Sequence, residues 1–377
     1  MKQKIIFSKY AKSDLADLLG KIDFDFPNES LFVLTDENTR RQCWPLLRGE
    51  PWPPDHPVLI NYAKISCARS IVIPAGEAHK NLESVAQVWE ALQRGGATRH
   101  SLLVNLGGGM VCDLGGFAAS TFKRGIRFVN IPTTLLAMVD ASVGGKTGVN
   151  FGGLKNEIGT FCEPQAVIID TRFLDTLDRE NLLSGYAEML KHSLLDTEEH
   201  WAEMLNDSST IEKSVAVKQR IVEADPHENG LRKALNLGHT FGHAFEEITL
   251  ERRSSGVAFP FGQRPLVQEF RSSDNTSILH GYAVAYGLIC ELYLSVVKCG
   301  FPTEKMRQTV QFIREKYGSP AITCDDYPEL IRLMQHDKKN IGDTIRFSLL
   351  ADIGDIRLDQ TATHEEIREA LDFLREG

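Results

Sequence analysis

Short apolar runs alternate with glycine-rich turns along residues 1–170. LFVLTD (31–36), SIVIPAG (70–76), SLLVNLGGG (101–109), RFVNIPTT (127–134) and AVIIDT (166–171) are near-continuous hydrophobic stretches of strand length. Such runs predict strands buried on both faces, as in a parallel sheet. Between them, NLESVAQVWEALQRGG (81–96) reads as a helix that ends on Gly95 and Gly96, a C-cap signal. Strands alternating with helices predict a mainly parallel α/β fold for this half. The pattern then changes: helices are predicted at 179–196, 208–225, 234–248 and 280–298. This divides the chain into an α/β domain over 1–172 and a mostly α-helical domain over 173–377. The segment 250–279 is polar, lacks sustained periodicity and reads as a long surface loop.

The 377 residues suit roughly two domains with a sizeable core. A formal net charge of −9 argues against a duplex-binding surface. No window approaches 18 uncharged apolar residues, which predicts no membrane-spanning helix. Charges throughout the N-terminal segment give no signal-peptide pattern. The 7 cysteines are scattered without a CxxC pair, which predicts free thiols in a reducing cytoplasm.

In LGGGMVCDLGG (106–116) a strand runs through glycines into a helix, the arrangement that turns backbone N–H groups toward a pyrophosphate. Gly107 and Gly109 fit G-x-G-x-x-G, but Cys112 holds its last position, so a tight structural turn stays open as the alternative. DASVGGKTGVN (140–150) matches a phosphate loop at Gly145, Lys146 and Thr147, but Asp140 replaces its first glycine, which argues against an NTPase. With GGLKNEIG (152–159) it suggests a pocket for an anion with Lys146, Lys155 and Asn156 as donors, against solvated loop lysines. Thr133 and Thr134 follow a strand end, where they either meet a ligand or cap a helix.

In the helical half, His239 and His243 are spaced i, i+4 on one helix face. The string is not HExxH, so the protease pattern fails. Glu188, three residues before Lys191, and His280, at a helix start, add a carboxylate and an imidazole. Two histidines and a carboxylate with an open position form a catalytic metal pattern. Arg232, Asn236, His239 and His243 follow at spacings of four, three and four, which puts them on one helix face. Such a face, with Lys218 nearby in sequence, reads as a wall for a carboxylate or phosphate ligand, against a solvated face. Lys338 and Lys339 lie in a loop before the strand IRFSLL.

The block from Gly107 to Gly159, with GYAEMLKH, LRKALNLGHTFGHAFE, LHGYAVAYG and DKKNIG, resembles the 3-dehydroquinate synthase family of the sugar phosphate cyclase superfamily. The resemblance covers most of residues 30–350. It implies an N-terminal NAD-binding domain, a C-terminal helical metal domain and an active site between them. It implies NAD contacts at Asp36, Asn38, Glu77, Lys80, Gly108, Gly109, Asp113, Thr133, Thr134 and Thr176, with Asp140, Lys146 and Lys155 serving cofactor and substrate. It implies zinc, or cobalt, on Glu188, His239 and His280, leaving His243 to the substrate. Further substrate positions are Asn156, Lys191, Lys218, Arg232, Asn236 and Lys338 or Lys339. Arg124 corresponds to an arginine that a homodimer lends to its neighbour's site.

The implied reaction turns a heptulosonate phosphate into 3-dehydroquinate and phosphate, a shikimate-pathway step, by transient NAD oxidation, elimination, re-reduction and aldol closure. A sister cyclase, such as one making 2-deoxy-scyllo-inosose, and a metal- and NAD-dependent polyol dehydrogenase are the alternatives. Three departures stand out. Tyr282 replaces the acid usual after the third ligand, Cys112 replaces a glycine, and the span between His239 and His280 is long.

Overall fold

The computed structural model describes residues 3–22, 31–49, 65–254, 278–335 and 344–376, without the side chains of 250–254. Two compact units emerge, Met1–Asp178 and Arg179–Gly377. The division thus follows the two-turn 3-10 helix Thr171–Thr176, a few residues beyond the expected 172/173 boundary.

The first unit is built on a six-stranded sheet: β1 (Ile5–Ser8), β2 (Leu31–Asp36), β3 (Arg69–Ile73), β4 (Leu102–Gly107), β5 (Arg127–Pro132) and β8 (Val167–Asp170). Their spatial order is β1-β8-β5-β4-β2-β3, and every pairing is parallel. β2 and β4 are buried at nearly every position, which explains their unbroken hydrophobic runs. Helix Leu82–Arg94 is capped by Asn81 and ends at Gly95, within the predicted span. Helix Gly109–Thr121 crosses the sheet closely: a Cβ on Gly115 would stand 2.1 Å from Asn105 Oδ1. Asn105 also makes a buried cross-strand pair, its Nδ2 donating to Asn130 Oδ1 at 2.9 Å.

β6 (Lys146–Phe151) and β7 (Leu154–Phe161) form a separate antiparallel hairpin. Its tip, Gly152–Gly153, has φ of +60° and +85°, the left-handed pair that a two-residue hairpin turn requires. The two glycine–lysine strings are therefore a hairpin and not phosphate loops. After Gly145 the chain extends as a strand, so no helix N-terminus follows Lys146.

The second unit is mostly helical: Arg179–Leu194, Glu198–Leu205, Ile211–Ala224, His239–Ser254, His280–Cys299, Thr303–Tyr317, Tyr327–Gln335 and His364–Glu376, with the hairpin β9 (Arg346–Asp352) and β10 (Asp355–Thr361). Helix His280–Cys299 is the central member, packed against four other helices and β9. Surrounded in this way, it is apolar on all sides. By length and composition it is long and apolar enough to cross a membrane, although Glu291 interrupts every 18-residue window of it, as the sequence expectation of no uncharged span requires. Most of it is buried inside the unit, as a core helix is.

Two further expectations change. The predicted helix 234–248 starts at His239 and continues to Ser254, so the predicted loop 250–279 begins as helix, and its 255–277 portion lies outside the described residues. Arg232 and Asn236 lie on a separate 3-10 turn, Leu231–Asn236, so they do not share one α-helical face with His239 and His243. The break is at Gly238, with φ +81° and a Cβ position 2.9 Å from Leu288 Cγ. An L-residue is strained there, and the close approach of the core helix turns the chain.

Candidate active site

In the first unit the sequence-predicted cofactor residues cluster at the carboxyl ends of neighbouring strands. Asp36 ends β2, Gly107 ends β4, Thr133 follows β5, and Glu77 and Lys80 follow β3. The chain proceeds from β2 toward one edge of the sheet and from β4 toward the other, so the switch in strand order lies between them. Crevices for ligands form outside such points. Gly108 precedes the helix Gly109–Thr121, whose first N–H groups open there. A Cβ on Gly108 would lie 3.1 Å from Thr134 Cγ2, and Thr133 N donates to Gly107 O at 3.0 Å, so the glycines and the threonine pair form one wall. Thr134 Oγ1 also accepts from Ala137 N at 3.2 Å, a capping contact that leads into the turn holding Asp140.

A second group forms beside this wall. Lys80 Nζ donates to Asp113 Oδ2 and to Asn156 Oδ1, each at 2.6 Å. Asn150 Nδ2 donates to Glu77 Oε1 at 2.9 Å, and its own Oδ1 accepts from Asn156 N at 2.9 Å. Glu77, Lys80, Asp113 and Asn156 are thus one network tied through Asn150, the last residue of DASVGGKTGVN, which was not among the expected site residues. Thr133 and Thr176 both meet the thiol of Cys43, and burial pushes that thiol up to about 11. Cys43 is a second residue that sequence reasoning missed.

Cys112 is a buried helix residue and no part of the turn itself. Asp36 is half-buried and caps helix Glu37–Gln42, accepting from Thr39 N at 2.7 Å, while Asn38 is exposed. Lys146 is exposed at the start of β6, Lys155 is half-buried on β7, and Arg124 is exposed after helix Gly109–Thr121 with φ +67°.

In the second unit three side chains from three helices converge. Glu188 Oε1 lies 3.5 Å from His239 Nε2 and 3.4 Å from His280 Nε2. One donor atom from each of the three falls within 4.8 Å of the others. Glu188 is fully buried, and neither of its oxygens has a well-directed hydrogen bond. Taking a carboxylate out of water costs several kcal/mol, so it must be compensated. Burial opposes its ionisation, yet Lys191, which pairs with it, and His280 more than offset that, and the carboxyl is held well below the usual carboxylate range. Two imidazoles and an ionised carboxylate, whose Oε1 faces both histidine Nε2 atoms, fit a small divalent metal of the zinc or cobalt kind.

His243 stands outside this triad, its ring centroid 5.4 Å from that of His239. Lys218 and Arg232 are buried. Arg232 Nη1 donates to Pro226 O at 2.6 Å, and its backbone N donates to Asp225 Oδ2 at 3.0 Å. Asn236 Nδ2 donates to Glu228 Oε1 at 3.0 Å. Lys338 and Lys339 lie outside the described residues. Tyr282 packs its ring edge-on against Tyr317, with centroids 5.1 Å apart. An acid does reach His280, from elsewhere: Glu246 Oε1 is 3.3 Å from its Nδ1. Glu246 was missed, although it follows His239 and His243 at i+7 and i+3 on the same helix face.

A family model described as the N-terminal part of 3-dehydroquinate synthase matches residues 70–184, and its C-terminal counterpart matches residues 185–262 and 269–340. The chain belongs to the 3-dehydroquinate synthase family. A curated 3-dehydroquinate synthase from Parabacteroides distasonis is 49% identical over 385 residues, covering 100% of this chain and 98% of that protein. Among solved structures, a 2-epi-5-epi-valiolone synthase from Streptomyces hygroscopicus with NAD+ and Zn2+ bound has a TM-score of 0.77 at 23% identity, over 100% of this chain and 97% of the other. A 2-deoxy-scyllo-inosose synthase complexed with carbaglucose-6-phosphate, NAD+ and Co2+ has a TM-score of 0.72 at 21% identity, over 99% and 96%. At those identities the two structures establish the fold that this 3-dehydroquinate synthase family member shares with them.

Proposed function

We propose that this chain converts 3-deoxy-D-arabino-heptulosonate 7-phosphate to 3-dehydroquinate and phosphate, in the shikimate route to aromatic amino acids. The enzyme is a phosphate-eliminating lyase that uses NAD and a divalent metal, zinc or cobalt. The observation that carries the reading is the Glu188–His239–His280 cluster in a chain of this family.

NAD bound at the first unit would supply reversible hydride transfer, and a metal bound at the triad would supply Lewis-acid polarisation of an alcohol oxygen. The residues of the chain supply binding, orientation and charge. Glu188, His239 and His280 hold the metal. The glycine turn at Gly108 and Gly109, Thr133 and Thr134, and the Lys80–Asp113 network hold NAD. Arg232 offers a guanidinium to the substrate carboxylate, with Lys191 and Lys218 adding charge. Lys146, Lys155 and Asn156 serve the phosphate end, and His243 relays protons at the substrate oxygens. The 1–172 and 173–377 domains accordingly divide the work between cofactor and metal. The same reading assigns a cytoplasmic homodimer, to which the exposed Arg124 contributes across the interface.

Phosphate release from the heptulosonate phosphate, with and without added NAD and Zn2+, tests this. Release should need both, and substoichiometric NAD should support many turnovers without net NADH. Stoichiometric NADH would place the chain among polyol dehydrogenases. Efficient turnover of glucose 6-phosphate alone would place it among sister cyclases.

A further inference from the structure

Helices His239–Ser254 and His280–Cys299 each carry one histidine of the triad, and each also carries a buried carboxylate that the reaction does not use. Glu246 is 3% exposed and Glu291 is 0% exposed. Each reaches across to the other helix. From the His280 helix, Glu291 Oε2 accepts from Gly238 N at 2.6 Å and its Oε1 from Thr240 N at 3.1 Å. These N–H groups flank His239 at the first turn of its helix, where backbone donors have no partner within the helix. A carboxylate there also meets the positive end of the helix dipole. From the His239 helix, Glu246 Oε1 stands 3.3 Å from His280 Nδ1.

The histidine rings are poised accordingly. His239 Nδ1 lies 3.1 Å from Leu237 O, and His280 Nδ1 faces Glu246, so both rings turn Nε2 toward Glu188. A ring whose Nδ1–H is held by an acceptor keeps its Nε2 lone pair for a metal. The crossing admits these contacts because glycines line it. A Cβ on Gly287 would stand 2.0 Å from Gly238 O, and one on Gly242 would stand 3.2 Å from Ala283 O.

We propose that Glu246 and Glu291 are positioning residues that form a reciprocal brace: each histidine-bearing helix fixes the other helix's metal-binding histidine. Glu246 acts on the His280 ring directly. Glu291 acts on His239 through the backbone on either side of it. The inference rests on the metal role proposed above for Glu188, His239 and His280.

The test uses the full-length protein, stripped of metal and titrated with Zn2+ alone against a chelating indicator, and then with Co2+ to read the visible ligand-field absorption. Lost second-shell partners typically cost 10- to 100-fold in metal affinity. Glu246→Ala should show a loss of about that size and an altered cobalt spectrum, in a metal-free protein that keeps the parent's far-ultraviolet circular dichroism. Glu246→Gln keeps an acceptor oxygen for the imidazole N–H and should restore part of the affinity. Glu291→Ala would leave two buried N–H groups unpaired and can fail to fold. Glu291→Gln retains one acceptor oxygen and should fold, bind Zn2+ more weakly and shift the cobalt bands. Parent-like affinity and spectrum in Glu246→Ala and Glu291→Gln would overturn the brace while leaving the metal assignment standing. A parent that bound neither ion would overturn the metal assignment itself.

Discussion

Lys80 and Asp113 pair at 2.6 Å, with 5% and 19% of their side chains exposed, at the edge of the glycine turn that ends β4. The lysine comes from the segment after β3 and the aspartate from the helix after β4, so the pair ties two cofactor-side segments together. Breaking a buried pair by removing one partner typically costs 3–5 kcal/mol, about 1.4 kcal/mol being tenfold in an equilibrium. Lys80→Ala should therefore lower the melting temperature and raise the NAD dissociation constant by about tenfold or more. Calorimetric titration with NAD checks this. An unchanged constant would remove Lys80 from the cofactor site.

His239 and His243 are one turn apart, but only His239 lies in the triad with Glu188 and His280. His239→Ala should abolish retention of metal through desalting. His243→Ala should keep a stoichiometric metal, measured by atomic absorption, and lose turnover. Equal metal loss in both variants would refute the separation of roles.

Metal binding should be coupled to protons. Burial by itself would lower the pKa of His280, but Glu246 and Glu188 push it up to about 10 in the metal-free protein. The sign follows. The shift lies above the ordinary histidine value, so its stabilisation of the apo fold is complete below about pH 6.5 and fades as the pH rises through about 10. A metal ion must displace that proton. Zn2+ affinity should therefore climb with pH across the neutral range, and titrations in buffers of different ionisation enthalpy should report a released proton. Proton release near zero at pH 7 would show that His280 is already neutral.

Arg232 is held by Asp225 and Pro226 in a buried position. A guanidinium can meet a carboxylate with two parallel hydrogen bonds, which an ammonium cannot reproduce. Charge-assisted hydrogen bonds are worth about 1.5–3 kcal/mol. Arg232→Lys should lower kcat/KM for the heptulosonate phosphate by roughly 10- to 100-fold. It should leave the poor turnover of glucose 6-phosphate no worse. A parallel loss on both substrates would mean that Arg232 supports the fold rather than the carboxylate.

The sequence by itself determined the strand runs of the first unit and most of the helices of the second, because burial on both faces or on one stripe leaves a periodic trace. It also marked His239, His243, Glu188 and His280 as metal candidates, since metal chemistry restricts the residue types that can serve, and the family resemblance narrowed them to Glu188, His239 and His280. Only the tertiary structure decided where helices stop and which side chains meet. Arg232 and Asn236 keep helical spacing to His239, yet Gly238, pressed against Leu288, breaks the helix between them. The glycine–lysine strings look like phosphate loops but pair as a hairpin, because strand pairing across Gly152–Gly153 is a contact between segments and not a property of either. Nothing in the sequence pattern singles out Glu246 or Glu291. What each one holds is set by the crossing of two helices, a geometry fixed by packing between residues far apart in the chain.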